Sequence, residues 1–99
     1  MRPGPNDVKL TILITGDELH ELKRFTIDMA EAFGLDRRIE AYSGKRPIGF
    51  CRSDLDCLLT VMDLALKDLR AYPDKKSSSY AAFKRLRDRL QEEYRRLWE

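Results

Sequence analysis

Five cations stand close together in the middle of the chain: Arg37, Arg38, Lys45, Arg46 and Arg52, with Glu40 the single carboxylate between residues 37 and 52. The turn Ser43-Gly-Lys-Arg46 sets a glycine beside two of them. Glycine lets backbone amides approach a phosphate or carboxylate, and arginine adds bidentate donors, so the chemistry of such a patch is anion or nucleic-acid binding. Arginines near turns also serve as a plain solvated rim, and Tyr42 and Phe50 read as core anchors rather than stacking platforms for bases. The rim reading is the simpler one, and nucleic-acid binding through Lys45 and Arg46 is the alternative.

His20 is the only histidine, with Asp17, Glu18, Glu21 and Arg24 around it. His-Glu-Leu-Lys lacks the second histidine of a zinc-binding H-E-x-x-H helix, and no nucleophile is tied to His20 by spacing, so a solvated surface histidine is expected. Thr15-Gly16-Asp17-Glu18 follows a strand pattern but has one glycine, and its two carboxylates repel an anion; capping is the expected role. Asp54 and Asp56 point to opposite sides of one helical turn and read as dipole compensation rather than a catalytic pair. Cys51 and Cys57 match neither a redox C-x-x-C pair nor a zinc half-site and are expected to be buried free thiols. No metal and no cofactor are expected.

These residues must be positioned by a small set of elements. Residues 1–6, with two prolines, a glycine and an asparagine, read as a flexible lead-in to a single domain over 7–99. Val8 to Thr15 alternates as a strand, its second face only mildly polar and expected to be partly covered. Leu19, Leu22, Phe25, Thr26, Met29, Ala30 and Phe33 repeat at helical spacing as far as Gly34, opposite a polar face that includes His20, Glu21 and Arg24. Leu35, Ile39 and Tyr42 favour a short helix over about 36–43 capped by Asp36, in preference to a hairpin. Pro47 to Cys51 is then a short second strand, the evident partner of the first.

The stretch Ser53 to Tyr72 is the most apolar. Capped by Ser53, it carries Leu55, Leu58, Leu59, Met62, Leu66 and Leu69 on one stripe, and Cys57, Val61, Leu64 and Ala65 extend it round a second side. After Pro73 and a polar connector, a last helix runs from about Ser78 with a narrow seam of Phe83, Leu86, Leu90, Tyr94 and Leu97. Its cations are expected to pair along the helix, Lys84 with Asp88, Arg89 with Glu93 and Glu92 with Arg96. The fold class expected is α+β: a small sheet of one clear N-terminal strand and one weak second strand, with three main helices, the last two an antiparallel hairpin.

With 99 residues, 42% apolar and 36% charged, the chain is long enough for one modest core and too apolar to be disordered. The formal net charge is +2; residues 1–74 hold 11 Lys/Arg against 13 Asp/Glu, and residues 75–99 hold 8 against 4. No stretch reaches the roughly 18 apolar residues of a membrane span, and a cytoplasmic location without membrane contact is expected. With no catalytic signature, the expectation is a small interaction or regulatory protein, not an enzyme, that works as a homodimer and binds another macromolecule. A second chain is expected on Cys57, Val61 and Leu64, with Trp98 near the chain end also seeking a surface.

Overall fold

A computed structural model describes residues 9–29 and 34–98. The lead-in 1–6, Val8 of the first strand, and Ala30 and Phe33 of the first helical pattern lie outside the described residues.

The architecture is α+β, as expected. Strand β1 (Leu10–Ile12) pairs antiparallel with β2 (Ile48–Phe50), in the register Leu10↔Phe50, Thr11↔Gly49 and Ile12↔Ile48. The ladder is short because β2 is short. Pro47 has no N–H to extend it at one end, and Cys51 begins a helix at the other. The alternation outlasts the ladder: Leu10, Ile12 and Ile14 are buried, while Lys9, Thr11, Leu13 and Thr15 are exposed. The second face therefore lies open rather than partly covered.

Helix α1 (Gly16–Lys23) stops earlier than its periodicity predicts. The amides of Arg24 and Phe25 bond back three residues, to the carbonyls of Glu21 and Leu22, and one 3-10 turn follows at Thr26–Met29. The β-branched pair Thr26-Ile27 is poorly suited to continuing an α-helix. The tightened turn frees Phe25 to pack on Phe83, ring centroids 5.0 Å apart, and lets Met29 enter the core.

Helix α2 (Leu35–Ala41) bears out the short-helix reading, with Leu35 and Ile39 fully buried. Its N-cap is Gly34, at φ +70°, rather than Asp36, which falls in the first turn. Tyr42 follows the helix, and its hydroxyl accepts from the Ile14 amide at 3.3 Å and donates to the Arg46 carbonyl at 2.6 Å. One phenol thus ties the strand end to the basic turn.

Helix α3 (Arg52–Lys67) starts one residue before Ser53 and ends five before Tyr72. Its N-cap is Cys51, whose amide donates to the Asp54 carboxylate at 3.1 Å, so the aspartate three residues in sets the start. At the other end Asp68 takes an extended backbone and its carboxylate accepts the Arg70 amide at 2.9 Å, a local turn that competes with helix. The chain then swings Leu69 outward, 66% exposed, and Tyr72 inward. Leu55, Leu58, Leu59 and Met62 are buried, and Leu66 is half-buried.

Helix α4 (Ser78–Trp98) lies against α3 as the expected hairpin and also touches α1 and β1. Ala82, Phe83, Leu86 and Leu90 are its buried row. Only the Lys84–Asp88 pair, at 3.0 Å, follows the predicted i, i+4 scheme. Arg85 and Arg89 reach instead to Glu18 on α1, Arg87 reaches Asp63 on α3 at 2.7 Å, and Arg96 pairs with Glu93. Glu18 is buried, and a buried carboxylate without cations would be costly, which is why the arginines turn inward.

Candidate functional site

A groove of about 1020 Å³ runs along one side of α3. Its floor and near wall come from Ser53, Cys57, Thr60, Val61, Leu64 and Asp68, positions that recur every three or four residues and so form one helical face. The far wall is built by Phe25 and Asp28 from the turn after α1, with Lys9 and Arg38 also lining the groove. Arg38 donates to the Gly49 carbonyl, and Lys9 also lies close to Gly49, which puts both cations beside β2 and the start of α3.

This face contains three of the residues expected to meet a second chain. Cys57 and Val61 are half-buried and Leu64 is 66% exposed. Trp98 is not with them. It is partly buried on the core of its own chain, and its ring meets Tyr94 one turn earlier at 5.4 Å. Both cysteines are free and half-buried rather than buried, and both line the groove.

Charge along the groove is uneven. Asp54 is buried and accepts from Arg38 at 2.6 Å. Burial works against its ionised form, but the Arg38 guanidinium and the Cys51 amide outweigh that and hold the carboxyl below the usual aspartate range. Arg38 and Asp54 thus compensate one another. Asp56 accepts the Tyr94 hydroxyl at 2.8 Å, Asp68 sits at the C-terminal end, and Asp28 is exposed on the far wall. Lys9 shares the described lining with these three carboxylates, of which Asp68 lies 3.6 Å from Arg70.

The five-cation patch is split. Arg38 is committed to Asp54 and Gly49, and Arg52 donates to the Tyr94 hydroxyl at 3.1 Å and lies over its ring. Arg37, Lys45 and Arg46 are exposed, with no ion pair from their side chains among the described residues. Sequence spacing gave no sign of the division, because the partners of Arg38 and Arg52 lie 16 and 42 residues away.

His20 is exposed, as expected of a solvated histidine. Its neighbouring carboxylates turn away from it: Glu18 faces Arg85 and Arg89, and Glu21 is buried against Tyr72 and Arg24. Among the described residues no three His, Cys, Asp or Glu side chains are placed to hold a metal ion. None of the described helices is long and apolar enough to cross a membrane. No family model, curated protein or solved structure matches this chain.

Proposed function

We propose that this chain is a non-catalytic interaction protein that binds another macromolecule through the α3 face from Ser53 to Asp68. The observation that carries the reading is the exposure of Leu64, 66%, at the C-terminal end of an apolar strip continued by Val61 and Cys57. Covering a leucine exposed to that degree contributes about 1–2 kcal/mol, and contiguous uncovered apolar surface beside polar residues marks interaction sites. A cytoplasmic setting belongs to the proposal, supported by two free thiols.

A homodimer uses the same strip at a cost. Two α3 helices crossing antiparallel over Val61 and Leu64 bring Asp56 of one copy towards Asp68 of the other, and like charges facing across an interface oppose it. A different macromolecule escapes that repulsion, so the heterotypic reading takes precedence over self-association. The nucleic-acid reading has lost Arg38 and Arg52 to internal partners and retains Arg37, Lys45 and Arg46.

Affinity capture from native cells with wild type and a Leu64→Asp variant tests the function. An exposed position tolerates the change within about 0.5 kcal/mol of stability. A macromolecule recovered with wild type and lost with the equally stable variant is the expected result. Identical recoveries with both proteins contradict it.

A further inference from the structure

Resting on that reading, we infer that the α3 groove takes a basic amphipathic helix. The length of the groove comes first. From Ser53 to Asp68 the α3 face spans about 22 Å at 1.5 Å per residue, and the groove of about 1020 Å³ follows it. That volume is at the upper limit of the roughly 300–1,000 Å³ typical of small-molecule sites, and its elongation along a helix suits an elongated ligand. A helix lying in an apolar groove anchors through residues spaced three and four apart, the spacing at which Cys57, Val61 and Leu64 are presented.

Charge selects the kind of helix. Among the described lining residues, Arg38 and Asp54 compensate each other at 2.6 Å, which leaves Lys9 against Asp28, Asp56 and Asp68, the last 3.6 Å from Arg70 in a pair too exposed to hold it firmly. The described lining of the groove is therefore acidic on a chain whose formal net charge is +2. Asp28 comes from the turn after α1, while Asp56 lies on α3 and Asp68 at its C-terminal end, so two separate elements bring carboxylates to the groove. A helix with leucine-like residues on one face and lysine or arginine on its flanks meets both features at once. A second copy of this chain presents acid to acid along α3, and an acidic helix meets the same repulsion.

The test uses three synthetic peptides of helix-forming length, labelled for fluorescence anisotropy. One carries Leu and Lys at amphipathic spacing, one replaces each Lys with Glu, and one has the Leu/Lys composition with the leucines dispersed. The Leu/Lys amphipathic peptide is expected to bind at least about tenfold more tightly than either of the others, since three charge pairs at a rim give about 1.4 kcal/mol together. Binding is expected to weaken with salt and to be lost in Leu64→Asp. A folded Asp28→Lys/Asp68→Lys variant, its fold checked by circular dichroism, should reverse the preference between the Lys and Glu peptides.

Equal binding of the Lys and Glu peptides overturns the basic-helix inference. So does equal binding of the dispersed peptide, or no binding of any peptide. None of these touches the broader reading, which falls if Leu64→Asp leaves cellular capture unchanged.

Discussion

The Tyr72 hydroxyl donates to the Glu21 carboxylate at 2.8 Å, in the interior, across 51 residues of sequence. Around this bond the Tyr72 ring packs against Phe83, Phe25 and Tyr80 at 5.5–6.0 Å, and the Arg24 guanidinium lies 5.1 Å over its centroid while bonding Glu21 at 2.6 Å. The contact locks the turn after α3 onto α1. It also leaves Glu21 dependent on two donors. A Tyr72→Phe variant keeps the ring packing and removes one of them, so it should lose about 1–2 kcal/mol. In a domain of this size that lowers the melting temperature by roughly 4–16 °C, read by thermal unfolding.

Acid stability should follow Glu21 and Asp54. Burial opposes ionisation of both, but the Tyr72 hydroxyl and Arg24 at Glu21, and Arg38 and the Cys51 amide at Asp54, pull their pKa values below the ordinary ones. A carboxyl whose folded pKa is depressed stabilises the fold fully above its unfolded value, near pH 4, and loses that contribution as pH falls through the lower folded value. Unfolding free energy should therefore be flat around neutrality with respect to these groups and decline below about pH 4. A Glu21→Gln/Asp54→Asn variant should be less stable at pH 7 and show a shallower decline than wild type when both are unfolded in urea across this pH range.

Arg38 and the exposed pair Lys45 and Arg46 should separate by mutation, although all three belong to one cationic stretch of sequence. Asp54→Ala removes the partner of Arg38 and the acceptor of the Cys51 amide at the head of α3, and should cost about 1–3 kcal/mol. Lys45→Ala/Arg46→Ala should change stability by less than about 0.5 kcal/mol. Chemical denaturation of the two variants side by side gives the comparison.

The turn that carries Lys45 and Arg46 is held from behind. Gly44 adopts φ +77°, and a Cβ there would lie 3.1 Å from both the Ile14 carbonyl oxygen and Leu19 Cδ2. Gly44→Ala should destabilise by about 1–3 kcal/mol through backbone strain and the close approach to β1's trailing residue. Equilibrium unfolding of this variant checks it.

What could be read from the residues alone was local. The Phe83, Leu86 and Leu90 row, the buried stripe from Leu55 to Met62, and the short strand after Pro47 each follow from a period or a punctuation mark within a few residues. The failures are long-range. Glu21 reads as outer-face polar until Tyr72 arrives from 51 residues away, and Arg89 reads as a partner of Glu93 until α4 packs against α1 and Glu18. The early ends of α1 and α3 are failures of another kind, because apolar spacing continues through Phe25 and Leu69 while the backbone turns. The groove itself was half legible: the uncovered Cys57, Val61 and Leu64 side follows from helical spacing, but its opposite wall at Phe25 and Asp28 exists only because α1 tightens into a 3-10 turn.

The central claim, that the Ser53–Asp68 face of α3 is where this chain meets another macromolecule, is tested most directly by a photo-crosslinking residue placed at position 64 in the native cell. A second protein carries it at position 75, in the exposed connector between α3 and α4. A discrete adduct from position 64, absent from position 75 and abolished by Val61→Asp, is the expected result. Adducts alike at both positions, or none at position 64, would contradict it.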